Sequence, residues 1–377
     1  MCSLDNFHAA LVHHWFLAMS GGERVCEAIC EVLDTPDLYS IVADPKSLGP
    51  VLGKSSLKTS FIQHLPNAKR FYRYYAPLFP LAVESFDLTS YDLVISSDSS
   101  VVKGIKTLPE TCHICMCYSP MRYAWNAFHD YTRDFGIVKR GLSSIIMSYL
   151  ALYDFAASAR VDYFVAPSQT SRNRIRKYYR RDAAVIYPPC DTNRFKPSSH
   201  IDDYYLFVGR LVSYKMADLA VKTFNRNKKR LLIVGDGPEM QKLKSMASTN
   251  IKFLGWVSDT ELSEIYAKCK ALIFPGEEDF GIVPVEAQAA GRPVIAYAKG
   301  GALETVIPDE TGVFFRERSV GGLLDAIAKF EKMLVRFDTE KIVANAGKFS
   351  RSRFLSSFEE FVRQCVEDHH CKFRPSY

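Results

Sequence analysis

No acidic residue occurs between Pro45 and Val83, no Asp-x-Asp occurs anywhere, and no uninterrupted apolar run reaches the ~18 residues that a bilayer-crossing helix needs. The nearest approach to such a run, LSSIIMSYLALYDFAASA at 142–159, contains Asp154 and many small or polar residues, and reads as a packed helix. The first 22 residues, MCSLDNFHAALVHHWFLAMSGG, carry Asp5 and interrupt their apolar run with His13 and His14, which is not the pattern of a secretory signal. These absences lead to the expectation of a cytoplasmic protein, attached at most to a membrane surface. Charge of one sign is also not in large excess. The formal charge is +6, with 20 basic and 17 acidic side chains in residues 1–190 and 28 and 25 in the rest, so neither half suggests a nucleic-acid partner. The ten cysteines are scattered, apart from CHICMC at 112–117. On a strand, His113, Cys115 and Cys117 share one face and Cys112 takes the other. No second ligand pair with zinc spacing follows, so reduced, buried thiols and no metal are expected.

The 377 residues exceed what one core usually serves, and a prior of about 150 residues per domain predicts two domains. Candidate strands are 9–15, 38–44, 91–98, 113–119, 163–168 and 183–189, then 204–210, 230–237, 251–256, 271–275 and 292–298. Most are continuous apolar runs, as in strands covered on both faces. Helical stretches such as 216–227 and 259–269 lie between them. Two consecutive sets of strand–helix units follow, each predicted to form a doubly wound parallel sheet. The turn-rich YPPCDTNRFKP, 187–197, marks the break, giving domains 1–187 and 188–350 and a C-terminal helix at 351–377.

The acid-free stretch holds Lys54, Lys58, Lys69, Arg70 and Arg73 among Phe71, Tyr72, Tyr74, Tyr75 and Phe79. Basic and aromatic side chains together suit anionic lipid headgroups, so segment 54–79 is a candidate membrane-surface contact; the alternative is a solvated helix with its own core-facing stripe.

In the second set, glycine-bearing loops close four successive strands: VGRLVSYK, VGDGP, FLGWVS and FPGEEDFG, with YAKGG after the next. Ligands of open α/β sheets collect at such strand ends, and the glycines predict a phosphate-and-sugar crevice. The run VGDGPEM does not complete a dinucleotide fingerprint, because its third glycine position is Met240. Arg210 and Lys215, on one loop, suit a diphosphate. In GEEDFGIVPVEAQAAGRP, 276–293, a helix is predicted to start near Ile282–Pro284 and end at Gly291. Its first N–H groups, around Gly281, Ile282 and Val283, can hold phosphate oxygens. Glu286 can accept from a ribose diol, or simply favour the helix dipole. Glu278, on the loop, can accept from sugar hydroxyls.

At these residues the sequence resembles the retaining glycosyltransferases of family 4. The matching positions are Glu278, Phe280, Gly281, Glu286, Ala287, Ala289, Gly291, Pro293, Val294 and Ile295, with the Arg210–Lys215 loop, VGDGP, LGWVSD at 254–259, and V-H-x-W followed by Gly21, Gly22, Glu23 and Arg24. SYDLVISSDSSVVKG, YSPMRYAWNAFHDY and VIYPPCDTNRF look most like the bacterial O-antigen and exopolysaccharide mannosyltransferases. The resemblance implies the GT-B fold: two Rossmann-like domains facing a deep cleft, with the C-terminal helix returning to the first domain. It implies transfer from GDP-mannose to a polyprenyl-diphosphate-linked saccharide, without a metal or other cofactor, at the inner face of the cytoplasmic membrane. Arg210 and Lys215 would neutralise the diphosphate, with amides near Gly281–Val283 and with Gly22 leaving room across the cleft. Glu286 would hold the ribose, Glu278 the transferred sugar, and Trp256 and Val257 would lie by the base. Many relatives have His where this chain has Tyr118. His129 and Asp130 could serve the acceptor side. A transferase using another nucleotide sugar (a GDP-deoxyhexose or UDP-hexose), a catalytically idle nucleotide-sugar-binding subunit of a membrane assembly complex, and an epimerase remain the alternatives.

Overall fold

The continuous apolar runs form parallel strands, in the computed structural model that describes residues 7–125 and 136–373. The first sheet contains β1 (Ala9–Phe16), β2 (Asp37–Ala43), β3 (Leu57–Thr59), β4 (Leu93–Asp98), β5 (Cys112–Cys117), β6 (Tyr163–Ala166) and β7 (Ala184–Val185), in the order β3-β2-β1-β4-β5-β6-β7. The second contains β8 (Tyr205–Val208), β9 (Leu231–Val234), β10 (Ile251–Gly255), β11 (Leu272–Phe274), β12 (Val294–Tyr297) and β13 (Gly312–Phe315), in the order β10-β9-β8-β11-β12-β13. Strands β3 and β13 are additions to the sequence reading: LKT is too short to register as an apolar run, and GVFF follows directly on a turn. Each order reverses beside its first strand, at β1/β4 and at β8/β11, and such switch points open a crevice at the strands' carboxyl ends.

Alternation along β1 assigns its two faces. Leu11 packs with Val25 and Ile29 of helix Gly21–Val32, while Ala10 and Val12 pack with Tyr72, Phe79 and Leu150. Strand β5 likewise sends Cys112, Ile114 and Met116 to one cluster and Cys115 and Cys117 to another. The nine described cysteines are free, and all but Cys371 are buried.

Asp154 lies fully buried in helix Ile137–Ser158, where its carboxylate meets Lys103. Lys103 Nζ also stands 2.7 Å from Asp98, and Trp125 Nε1 and Tyr179 Oη each donate to Asp154 at 2.7 Å. Burial disfavours the Lys103 ammonium, but Asp154 and Asp98 outweigh it and hold its pKa above the usual lysine value. This network explains an Asp in an otherwise apolar helix. Asp98 also lies at metal-ligand spacing from Cys115 and Cys117, yet its carboxylate already accepts from Lys103 and from the Ser100 and Val102 N–H groups.

The chain divides into compact units at Pro189/Cys190 and Arg353/Phe354, a few residues beyond the boundaries read from the turn formers. Cys190 belongs with the second unit because its N–H donates to Phe349 O and its carbonyl accepts from Arg351 N, both at 3.0 Å. Helix Arg351–Phe373 places Phe354, Phe358, Val362, Cys365 and Val366 in the same cluster as Leu11 and Ile29.

Candidate active site

In the second unit, the loop after β8 ends in the short 3-10 turn Ser213–Lys215, and the loop after β11 carries Glu278. The switch point therefore brings both loops together, and Lys215 Nζ stands 2.5 Å from Glu278 Oε1. Both side chains are mostly buried, at 15% and 17% exposure. The contact is an ion pair without hydrogen-bond alignment, because Glu278 Oε1 has no hydrogen-bond partner among the described residues. The Glu278 backbone is fixed from the next loop by the Gly301 N–H, 2.9 Å from its carbonyl oxygen. Arg210 is exposed on the Lys215 loop.

Gly281 adopts φ +84° and opens helix Ile282–Ala289 with no side-chain cap. A side chain there would be strained by the backbone and would crowd Phe274. Pro284 is the third residue of that helix, still within the turn whose N–H groups need no helical acceptor. Ile282 is partly exposed, while Phe280 and Val283 are buried. One glycine expectation changes. Gly235 packs so tightly on the Gly209 backbone that a Cβ would overlap its carbonyl oxygen, so loop-on-loop packing by itself requires glycine at 235.

Glu286 is already oriented. Tyr266 Oη donates to its Oε2 at 2.9 Å, and Arg194 Nη2 donates to its Oε1 at 3.3 Å. Burial pushes the Tyr266 phenol well above its usual pKa, with the Glu286 carboxylate adding to the shift, so it remains a donor. Neither Tyr266 nor Arg194 is among the residues singled out from the sequence; Arg194 lies in the turn-rich break, where it reads as a linker residue. Trp256 is 82% exposed just beyond β10, and Val257 is half-buried beside it.

In the first unit, the β1/β4 switch point gathers a second cluster. His13 is fully buried, with Nδ1 3.0 Å from both Ser97 O and Ser97 Oγ and with Nε2 3.7 Å from Glu23 Oε1. Glu23 accepts from Ser20 N at 3.1 Å and from Ser20 Oγ, closing the helix start. Burial disfavours the His13 imidazolium, but Cys26 and Glu23 outweigh it and raise its pKa to about 10. Tyr118 Oη lies 2.9 Å from Ser97 Oγ and 3.3 Å from Gly22 O. Burial pushes its phenol up, so Tyr118 donates rather than acts as a base. A Cβ at Gly22 would make only ordinary contacts, the nearest 3.4 Å from His13. No described residue therefore requires glycine there. His129 and Asp130 lie outside the described residues.

Segment 54–79 is partly internal. Tyr72 and Phe79 are buried, and Lys58 and Lys69 pair with Asp37 and Asp44 at 3.3 and 3.2 Å. Phe71 and Tyr74 are exposed, as are Arg70 and Arg73.

Two parallel-sheet units, with a cation–carboxylate pair at the second switch point, define an α/β protein of the GT-B type. The profile described as "Glycosyl transferases group 1" matches residues 191–348, a stretch that lies within the second unit. A GDP-mannose-dependent alpha-(1-6)-phosphatidylinositol monomannoside mannosyltransferase of Mycobacterium tuberculosis is 30% identical over 213 residues, covering 48% of this chain and 54% of that protein. The O-antigen chain mannosyltransferase RfbU of Salmonella typhimurium is 27% identical over 214 residues, covering 50% and 60%. The chain thus spans a little over half the length of these curated relatives. The crystal structure of Anabaena HepE in complex with UDP and glucose superposes with a TM-score of 0.69 at 16% identity, over 95% of this chain and all of that one.

Proposed function

We propose that this protein is a retaining hexosyltransferase that moves mannose from GDP-mannose to a polyprenyl-diphosphate-linked saccharide of O-antigen or exopolysaccharide assembly. The observation that carries the reading is the Lys215–Glu278 pair at the β8/β11 switch point. Each side chain compensates the other's charge. When donor binds, the diphosphate takes over Lys215, with Arg210 on the same loop and the N–H groups around Gly281, Ile282 and Val283. Glu278 is then free to accept from the sugar's hydroxyls and faces the positive charge that grows at the anomeric carbon. The acceptor oxygen forms the new bond on the face from which the diphosphate departs, and its proton passes to a departing phosphate oxygen. Charge on that phosphate is met before the bond breaks, the kind of preorganisation that is usually the largest catalytic contribution. Two cations and a helix start supply it, so no divalent metal is required.

Glu286 holds the ribose, and Trp256 and Val257 flank the base. Gly22, beside His13 and Tyr118, keeps its place free of a side chain for the donor, while His129 and Asp130 are assigned to the acceptor. The relatives named as mannosyltransferases support mannose and the O-antigen relative supports a lipid-linked acceptor.

The lipid-linked acceptor brings the protein to the inner face of the cytoplasmic membrane. No helix among the described residues is long and apolar enough to cross one. Exposed Phe71 and Tyr74 beside Arg70 and Arg73 support surface contact, as does helix Ile137–Ser158, which exposes Leu142, Ile145, Tyr149 and Leu152.

Purified protein given GDP-mannose and a lipid-linked saccharide should transfer sugar, equally well with EDTA present. Lys215→Ala and Glu278→Ala should each lower the rate by about 10²–10³ while the fold is retained, the usual loss for one charge-stabilising contact. Near-normal turnover in either variant would remove the assignment, and preference for UDP-sugars in the same assay would change the donor.

A further inference from the structure

Glu286 is held by a bracket of two side chains, Arg194 and Tyr266, to which the sequence reading assigns no role. Arg194 closes the short 3-10 turn Thr192–Arg194, and its guanidinium spans two acidic side chains. Nη2 reaches Glu286 Oε1 at 3.3 Å and Nη1 reaches Asp259 Oδ2 at 2.8 Å. Asp259 is the first residue of helix Asp259–Lys268, three residues beyond the exposed Trp256. The guanidinium also lies over the Phe195 ring, 4.6 Å from its centroid, and Phe195 meets Tyr266 edge-on at 5.6 Å. Tyr266 in turn donates to the other Glu286 oxygen. Arg194 is 21% exposed and Glu286 15%, so the pair is only lightly screened by water.

This arrangement does two things to the carboxylate. A donor on each oxygen fixes its plane and rotation, and a carboxylate oxygen can accept from more than one donor. The adjacent guanidinium sets a positive charge 3.3 Å from one carboxylate oxygen, on a side chain that can accept from two hydroxyls at once. The Asp259 contact ties that carboxylate to the helix that follows the Trp256 loop, linking the two elements assigned to ribose and base.

We propose that Arg194 is a positioning residue for nucleotide recognition: with Tyr266 it presents the Glu286 carboxylate to the vicinal diol of a ribose, and it does not touch the transferred sugar. The inference rests on the reading of this site as a nucleotide-sugar site. It makes Arg194 matter for the 2′- and 3′-hydroxyls specifically, not for the diphosphate that Lys215 and Arg210 take.

The test is calorimetric titration of the full chain with GDP or UDP, whichever the wild type binds more tightly, and with the matching 2′,3′-dideoxynucleoside diphosphate. Wild type should prefer the ribonucleotide. Arg194→Ala should weaken ribonucleotide binding by about 10–100-fold, in keeping with hydrogen bonds to a charged group, yet leave the dideoxy form within about threefold. Arg194→Lys should recover part of the loss. Tyr266→Phe, which keeps ring and packing, should reproduce the selective loss and serves if Arg194→Ala does not fold. An equal loss for both nucleotides would make Arg194 a structural brace and overturn the proposal. Wild type that binds nucleotide without discriminating ribose from dideoxyribose would overturn the role of Glu286 as well. Wild type that binds neither nucleotide would instead remove the nucleotide-sugar reading itself.

Discussion

Charge compensation at the level of single residues runs through both units. His13 is a histidine with no exposed surface, and its neighbours decide its charge. Those facing it are Glu23 and Cys26 from helix Gly21–Val32, His14 from its own strand, and Tyr118 through Ser97. Burial and the neighbouring His13 push the His14 pKa well down, so one ring of the pair carries the proton. A histidine whose folded pKa is about 10, against an ordinary value of 6.5, adds stability that is complete below pH ~6.5 and is lost as pH rises through ~10. Glu23, whose pKa is lowered despite burial by its contacts with His13 and Ser20, adds stability that is lost as pH falls below the ordinary carboxylate range. The difference in melting temperature between wild type and His13→Gln should therefore be widest near pH 6 and narrow steadily toward pH 10. A difference that stays constant or widens across that range would show His13 to be neutral. The cluster was only partly legible in the sequence. V-H-x-W, G-G-E-R and the stretch that holds Ser97 could be matched as motifs, but no motif records that His13, Glu23, Cys26 and Ser97 converge, which happens only when β1 pairs with β4 and helix Gly21–Val32 packs on them.

Among the elements, helix Arg351–Phe373 shows how a pattern can be read without its destination. Phe354, Phe358, Val362 and Cys365 recur at helical spacing, which predicts an amphipathic helix from sequence alone. That this stripe completes the core under β1, after the chain has passed through the whole second unit, is a property of the packed molecule. Phe358 is fully buried and stacks on Phe354 at 5.2 Å. Phe358→Ala should cost about 3–5 kcal/mol, the usual range for a buried Phe, and lower the first melting transition to involve the first unit. Thermal unfolding followed by limited proteolysis of each unit would check it; an unchanged melting profile would mean the helix contributes little to that core. Helix Ile282–Ala289 shows the opposite case. Gly281 and the nearby Pro284 marked its start, because a positive-φ cap and a first-turn proline are local requirements.

At the scale of the whole molecule, the acid-free stretch is where composition and structure diverge most. Sequence counts five cations in 54–79, but two of them are neutralised by Asp37 and Asp44 from outside the segment. A membrane contact must then rely on Lys54, Arg70 and Arg73, all exposed, with the exposed aromatic and aliphatic side chains. The protein should sediment with vesicles containing phosphatidylglycerol and much less with phosphatidylcholine alone. Each cation near an anionic surface contributes about 1 kcal/mol, so Arg70→Ala with Arg73→Ala should lower partitioning by roughly 30-fold. Binding that ignores lipid charge, or survives both substitutions, would place the contact elsewhere.

The sequence by itself determined the two successive α/β units, the loops that carry Arg210, Lys215 and Glu278, and the helix that presents Glu286. Each of these depends on local rules: continuous apolar runs for covered strands, turn formers between them, and a capped helix start. Only the tertiary structure decided that Lys215 meets Glu278, that Arg194 and Tyr266 grip Glu286, that Asp154 is balanced by Lys103, and that the final helix closes the first core. Those outcomes follow from strand order and packing, which bring together residues tens to hundreds of positions apart, and no local pattern records which distant charge will stand opposite.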